Sequence, residues 1–466
     1  MRGQSLAQQK VEKILTSSVF KPTNVSFTAI DIETDTQVVN YRGDKMLIPA
    51  SSLKVITTLT AIDKLGDDYT FVTRITHDGK IQDDGTLKGN IYIEGSGDPT
   101  LGSTRFKSIM DLKTLLKHIT KKIIDYGITC IEGEIIADES IFDSFPVSPS
   151  WQWNDLGNYY ASGAWGINVH ENLYHLYFHK RTVIGAQPQI KFHSPNIPNI
   201  EFSNELKVDS SNTGDNAYIF GGPYTYKKRI SGTIPQGKTT FSIKGSIPDP
   251  PLFLAGQIAT QLKKENISTN GHSTMFRNAK GKRSRKKIIE ITSPPLKKIV
   301  ELANEKSINI YCESLMKTVA KESKMRGAGG DGIYMMEKLL KKAGVDINGL
   351  HMEDGSGLSA RNNVSSRVLA ETIAAYVDKF GEDRMKIYLP RTGEGTVVNM
   401  FAGTALAGRV WLKSGSMDRV NSYTGFLLNK KGKYISFSVI VNGFTVKHVT
   451  MRPYLEKLIT QLYMHS

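Results

Sequence analysis

The chain has 466 residues, 39% of them hydrophobic, and a formal net charge of +15 from 60 basic and 45 acidic residues. That length allows a large buried core and two to four domains, and the basic balance favours polyanionic neighbours such as nucleic acid, an anionic membrane face or an acidic cell wall. The two cysteines, Cys130 and Cys312, lie far apart without metal-ligand spacing, and no apolar run approaches 18 residues, so neither a disulfide framework nor a spanning helix is expected.

The opening "MRGQSLAQQK" has no apolar stretch of the signal-peptide kind, so the protein is either cytoplasmic or has lost a signal ahead of this sequence. "VSFTAIDI" (25–32) and "QVVNYR" (37–42) alternate as two strands of a hairpin. "IPASSLKVITTLTAI" (48–62) follows, with Ile56, Leu59 and Ile62 at helical spacing, and predicts an amphipathic helix beginning near Ser51. The plain role for Ser51 or Ser52 is an N-cap, its oxygen accepting from the first-turn N–H groups. From about Asp67 short strands and turns take over, among them "GNIYIEGSGDPTLG", "CIEGEIIAD", "LYHLYFHK" and "TTFSIKGSI", interrupted by one helix, "SIMDLKTLLKHITKKIIDYG". Pro and Asp in "PDPP" (248–251) mark the expected end of this block. Helical periodicity returns in "LFLAGQIATQLKKE", "PLKKIVELANEKS", "IYCESLMKTVAKES", "GIYMMEKLLKKAG" and "SSRVLAETIAAYVDKF". The chain closes with the strands "GRVWLKSGSM", "SYTGFLLNKK" and "YISFSVIVNGF" and a last helix, "RPYLEKLITQLYM".

The pattern is that of a split domain, residues 1–66 and 249–466, interrupted by a β-rich insert, 67–248. Strands from both chain ends can pair in one antiparallel sheet with helices on either face, an α/β (α+β) architecture carrying a mainly β insertion.

Several motifs have plain readings. "KGKRSRKK" (280–287) lies between two strand-like stretches and reads as a hairpin tip; no aromatic residue interleaves it, so no nucleic-acid partner is expected. "GAGGDG" (327–332) fits a dinucleotide fingerprint in spacing, but the preceding segment is helical rather than a strand, which makes it a helix–helix loop. His175 and His179 fall on a strand, where positions four apart stand about 13 Å from each other, too far to share an ion. "DGSGLS" (354–359) and "GSGDPTLG" (95–102) are most simply turns. Neither a metal nor a cofactor is called for.

Three short patterns carry chemistry together. If Ser51 begins a helix, Lys54 stands one turn on, on the same face. Lys54 can take the hydroxyl proton only when neutral, so its pKa must fall by about three units, at roughly 4 kcal/mol; burial and a second cation would do this. "WLKSGS" supplies such a cation in Lys413, followed by Ser414, Gly415 and Ser416 on an expected edge strand, with Gly415 leaving room for a substrate backbone. Ser307-Ile308-Asn309, at a junction between two helices, adds a hydroxyl for proton relay and an amide for a substrate carbonyl.

The order S-x-x-K, S-x-N, K-[ST]-G marks the penicillin-recognising serine enzymes. "PASSLKVITT", "GNIYIEGSGDPTL", "GEIIADESIFD", "WQWND", "EDGSGLS", "YLPRTGEGT" and "LKSGSMDRVNSYTGF" resemble, in order and over nearly the whole chain, the blocks of the D-alanyl-D-alanine carboxypeptidase/endopeptidase family, the class C low-molecular-mass penicillin-binding proteins. The resemblance implies a transpeptidase/β-lactamase-like domain I with domains II and III inserted. It implies that Ser51 is the nucleophile, Lys54 its base, Ser307 and Asn309 the second motif, and Lys413, Ser414 and Gly415 the third, with the N–H groups of Ser51 and Ser416 as oxyanion hole. Asp138 resembles the acid that some members use to bind the free amine of the stem peptide; its plain reading is a turn carboxylate. Ile308 replaces the usual Asp of the second motif, Ser414 the usual Thr of the third, and Arg361 is displaced by one place from the family's Ser-Arg-x-Asn.

The implied partners are peptidoglycan stem peptides and, as covalent inhibitors, β-lactams. The implied location is periplasmic or otherwise outside the cytoplasmic membrane, with peripheral membrane or wall association through exposed lysines. A β-lactamase or esterase on the same fold, and a non-catalytic wall-binding protein, are the competing readings. The long insert argues against the first, and the intact motif residues against the second.

Overall fold

The computed structural model describes residues 4–275 and 284–466. The chain divides into two compact units, one made of the residues up to Tyr69 and from Pro295 onward, the other running Thr70–Pro294.

The first unit is built on a five-stranded antiparallel sheet. In spatial order its strands are Thr36–Tyr41, Asn24–Asp31, Tyr434–Asn442, Val420–Leu428 and Val410–Met417, so both chain ends share one sheet and Val410–Met417 is an edge. Alternation along the strands separates two faces. Val25, Phe27, Ala29, Val439 and Val441 pack in one core with the terminal helices Leu6–Leu15 and His448–His465, through Val11, Leu455 and Ile459. The opposite face is small and hydroxylic: Ser26 and Thr28 bond Ser366 at 2.7 and 2.8 Å, and Thr424 bonds Ser438 at 2.8 Å. Small side chains let the helix Ser366–Phe380 lie close to the sheet, and each of these hydroxyls finds a partner despite its burial.

The helix Lys54–Leu65 is not amphipathic as its spacing predicts. Lys54 to Ile62 are all buried, because helices Leu296–Glu305, Asn309–Glu322, Gly329–Lys342 and Ser366–Phe380 all pack against it. Its threonines are absorbed by hydrogen bonds to carbonyls, Thr58 to Lys54 and Thr60 to Ile56, both at 2.7 Å. "GAGGDG" is the expected helix–helix loop, leading into Gly329–Lys342.

The second unit holds a five-stranded mixed sheet in the order Gly271–Met275, Glu134–Asp138, Ile91–Glu94, Val72–His77, Lys286–Thr292. A three-stranded antiparallel sheet (Ile190–Ser194, Leu173–Phe178, Phe241–Ser246) and a four-stranded sheet around Lys227–Pro235 complete it. The second boundary therefore lies at Pro294, not at 248. The helix Pro250–Lys264 packs on Glu134–Asp138, Gly271–Met275 and the helix Leu112–Asp125, burying Phe253, Leu254, Ile258 and Leu262 in this unit's core. The "PDPP" signal is a helix start: Asp249 caps it, accepting from Leu252 N–H at 2.9 Å, and proline occupies the first turn. His175 lies on the expected strand and His179 just beyond its end, and no metal-holding cluster occurs among the described residues. Residues 276–283, with the first half of the basic cluster, lie outside the described residues; Lys286 and Lys287 begin a strand.

Candidate active site

Ser51 does not start an α-helix. It sits in a 3-10 turn, Ala50–Leu53, and the α-helix begins at Lys54. Neither Ser51 nor Ser52 caps that helix with its side chain. Instead Ser52 donates to Pro49 O at 2.8 Å and receives from Ser422, whose hydroxyl also reaches Pro49 O, so Ser52 pins the turn to the sheet. Ser51, half-buried, accepts from Lys54 Nζ at 3.0 Å. Ala50, immediately before it, has φ of +48°, and Ser307 has φ of +57°. Left-handed backbone costs a non-glycine residue about 1–2 kcal/mol; Ala50 adjoins Ser51, and Ser307 is itself a residue of the second pattern.

Lys54 Nζ is surrounded by three acceptors: Ser51 Oγ at 3.0 Å, Asn309 Oδ1 at 2.6 Å and the Ser356 carbonyl at 2.6 Å. Its pKa is lowered by burial, against the opposing pull of Cys312, Asp354 and Glu313. Lys413 is also fully buried; burial, and then the charge of Lys54, hold it well below the ordinary lysine value, and its ammonium position meets the Ser414 carbonyl at 2.6 Å. Two buried cations this strongly coupled cannot both stay charged cheaply. The three-acceptor cage favours a protonated Lys54 and a neutral Lys413. The expected second cation beside Lys54 is thus itself buried and held low.

Val410–Met417 lies against the nucleophile turn. A Cβ on Gly415 would stand 2.5 Å from Pro49 O and 2.8 Å from Ser52 N. Gly415 is therefore required by the close approach of strand and turn. Ser414 Oγ donates to Thr396 Oγ1 at 2.9 Å. Ser416 is exposed and pairs in register with Asn421; both approach His448 Nδ1, at 3.4 and 3.0 Å.

The segment Glu353–Ser359, read as a turn, forms a wall of this site. Asp354 braces it, accepting from Gly357 N–H at 2.7 Å, Ser359 N–H at 2.6 Å and Asn362 Nδ2 at 2.9 Å. Thr57 Oγ1 donates to Gly355 O at 2.6 Å, and Gly355 N–H donates to Glu313 Oε1 at 3.1 Å. Gly357, with φ of +78°, has no room for a Cβ, which would meet Ala50 O at 2.0 Å. Glu313 is fully buried, and burial, then Asp354, push its carboxyl up to about 8. Sequence reasoning passed over Glu313. Its signal is an acid in the apolar run "NIYCESLM", one helical turn after Asn309 and so on the same face. Burial also pushes the Cys312 thiol up to about 12, and both cysteines are free.

Ser51, Lys54 and Asn309 are thus brought together by direct bonds. Ser307 makes no side-chain hydrogen bond among the described residues and stands two residues before Asn309, at the turn into the helix Asn309–Glu322. Asp138 belongs to the other unit. It is buried at the end of the strand Glu134–Asp138, and Arg285 Nη1 donates to its Oδ2 at 2.7 Å and to Glu94 Oε1 at 2.9 Å.

Comparison with known proteins gives a consistent picture. The model of the D-Ala-D-Ala carboxypeptidase 3 (S13) family matches residues 7–457. The D-alanyl-D-alanine carboxypeptidase DacB of Haemophilus influenzae is 26% identical over 438 residues, 92% of this chain and 88% of that protein. The crystal structure of penicillin binding protein 4 (dacB) from Haemophilus influenzae superposes with a TM-score of 0.84 at 24% identity, covering 98% of this chain and 99% of that one. Its complex with a novel β-lactam gives 0.79 at 22%, covering 98% and 100%. At these identities the structural likeness is one of fold.

Proposed function

The chain belongs to the D-Ala-D-Ala carboxypeptidase 3 (S13) family, and from that premise we propose that it cleaves D-Ala-D-Ala stem peptides of peptidoglycan, as carboxypeptidase, endopeptidase or both, through an acyl-enzyme on Ser51 that penicillin also forms. The observation that carries this reading is the 3.0 Å contact between Lys54 Nζ and Ser51 Oγ inside a buried cage. A lysine there meets the geometric demand on a general base, and burial lowers its pKa in the direction the role needs.

In the resting site Lys54 holds the proton and Lys413 is neutral. The terminal carboxylate of a D-Ala-D-Ala substrate, or the carboxylate of a β-lactam, binds Lys413 with Ser414 and makes the protonated form of Lys413 favourable. The new charge on Lys413 then disfavours that on Lys54, and the net result is one proton moved from Lys54 to Lys413. Neutral Lys54 takes the Ser51 proton as Oγ attacks the carbonyl carbon of the penultimate D-Ala. Backbone N–H groups of Ser51 and Ser416 hold the oxyanion. The C–N bond breaks, Ser307 relays the proton to the leaving amine, and water hydrolyses the ester. Substrate therefore activates its own base.

For Asp138, the ion pair with Arg285 supports a structural role over amine binding, because a stem-peptide amine would have to displace a guanidinium already in place. The substrate polymer puts the site of action outside the cytoplasmic membrane, in a periplasm or wall. No helix among the described residues is long and apolar enough to cross a membrane. The deciding experiment is intact-mass analysis after penicillin: the wild type gains one adduct and Ser51→Ala none. A stoichiometric adduct on Ser51→Ala would assign the nucleophile elsewhere, and rapid multiple turnover of nitrocefin would favour a β-lactamase.

A further inference from the structure

The inserted unit carries a second concave site with a different chemistry. A cleft of about 410 Å³ opens between Tyr159 and Tyr160 on one side and Tyr218 on the other, with Asp215, Ser242 and Lys244 at its rim. The strand pattern explains the lining. In Asn216–Phe220, Ile219 turns into the core while Tyr218 faces out; in Phe241–Ser246, Ile243 turns in while Ser242 and Lys244 face out. Tyr159 and Tyr218 are 45% and 43% exposed.

Tyr160 donates to Asp155 Oδ1 at 3.0 Å and Asp215 accepts from Ala217 N–H at 3.1 Å, but four other polar groups of the cleft lack protein partners. The hydroxyls of Tyr159, Tyr218 and Ser242 and the ammonium of Lys244 make no hydrogen bond or ion pair among the described residues; Lys244 Nζ lies 5.4 Å from the centre of the Tyr159 ring. Elsewhere the unit matches its partly buried cations with care, as in Arg105 with Glu171 and Arg285 with Asp138. Half-buried polar groups left open around aromatic walls are the ordinary make-up of a ligand site, in which the rings supply contact area and the polar groups orientation. The aromatic surface also continues in both directions. His175 is the cross-strand neighbour of Lys244, and beyond it Tyr177 stacks on Phe192 at 4.5 Å. On the other side Tyr218 adjoins Phe220, which packs against Trp153, itself 63% exposed.

We propose that this cleft binds the sugar chain of the cell-wall polymer, an N-acylated amino-sugar strand, and so holds the insert on the glycan that bears the stem peptides. A pyranose offers an apolar C–H face to a tyrosine ring and a rim of hydroxyl and amide groups to Asp215, Ser242 and the tyrosine hydroxyls. Lys244 can donate to the sugar's hydroxyls and N-acyl carbonyls. An extended aromatic track suits a polymer better than a small molecule, and a rim this polar is a poor match for the apolar centre of a protein–protein patch. The choice of glycan rests on the proposed function; the existence of the site does not.

The test uses full-length Ser51→Ala protein, so that binding is measured without turnover, and glycan strands stripped of their stem peptides as the probe. The parent should be retained on the strands, and Tyr159→Ala/Tyr218→Ala should lower affinity at least ten-fold. Lys244→Gln, a milder change that keeps the aromatic walls, should lower it several-fold. In the Ser51 background, Tyr159→Ala/Tyr218→Ala should leave kcat/KM on a soluble D-Ala-D-Ala peptide within two-fold of wild type and reduce release of D-Ala from intact sacculi at least five-fold. No retention by the parent, or equal retention by parent and both variants with unchanged thermal midpoints, overturns the proposal. So does retention lost only for an envelope protein and not for glycan, which would make the cleft a protein-docking site. Loss of penicillin acylation or of soluble-peptide cleavage by the wild type would instead refute the proposed function and with it the reason for choosing glycan, whereas retention on the strands, measured separately on Ser51→Ala, decides the cleft's ligand.

Discussion

In the unit that carries Ser51, buried charge is crowded. Lys54, Lys413, Glu313 and Asp354 are all buried around one turn; Asp354 acts on Lys54 and Glu313, and Lys54 acts on Lys413. In the inserted unit buried charge is dispersed and matched locally. Glu171 takes Arg105 at 2.7 Å and Ser103 Oγ at 2.6 Å, and Lys228, pushed down to about 8 by burial alone, is held by the Gly221 carbonyl at 2.6 Å. Dispersed pairs satisfy a fold. Crowded like charges raise its energy and are retained where they tune a proton, so the contrast separates a reaction centre from a scaffold before any substrate is considered.

The largest effect expected from breaking the crowded cluster is at Ser51. Ser51→Ala should lower turnover of a D-Ala-D-Ala peptide by several orders of magnitude, roughly 10⁶ where nucleophile loss has been measured in a serine protease, and stopped-flow acylation should be undetectable. Lys54→Ala should slow acylation by about 10⁴, the upper range for loss of a general base, while non-covalent ligand binding persists.

Lys413→Ala sharpens the comparison by testing whether the cluster responds to substrate charge. Loss of a charged hydrogen bond costs about 1.5–3 kcal/mol, so kcat/KM should fall roughly ten- to hundred-fold for carboxylate substrates. Neutral esters should be little affected, and equal losses on both would remove the carboxylate from Lys413.

Asp138→Asn probes the dispersed kind of charge. It should lower thermal stability by about 1–3 kcal/mol through the weakened Arg285 bond and leave penicillin acylation unchanged. A selective loss on substrates with a free side-chain amine would restore the binding role.

The smallest effect is at Glu313. Its folded pKa of about 8 lies above the ordinary value of 4.5. The stabilisation tied to its proton is therefore complete below about pH 4.5 and is lost as pH rises through about 8. Glu313→Gln lacks that loss, so its thermal midpoint should gain on wild type between pH 6 and pH 9; a constant difference would show that Glu313 is ionised in the fold.

Much of this was legible in the chain itself. Ser51 and Lys54 are one turn apart, and such short-range spacing survives even though the turn proves to be 3-10. The strand Val410–Met417 lies at the edge expected of it, and the helix–helix reading of "GAGGDG" follows from the helical segment before it. Less legible was "PDPP", because Asp followed by Pro begins a helix as readily as it ends a domain, and only packing against Glu134–Asp138 assigns that helix to the insert. A glycine's lack of side chain is visible in sequence at Gly415, whereas its packing against Pro49 and Ser52 is not.

The sequence by itself determined the order of the three short patterns and the pairing of both chain ends in one sheet, since those depend on local spacing, periodicity and motif. Tertiary structure alone decided the burial that lowers Lys54 and Lys413, the rise of Glu313 and the close approach at Gly415. Each of these depends on burial and on neighbours brought from far along the chain, such as Ser356 beside Lys54 and Pro49 beside Gly415, and no local pattern encodes them.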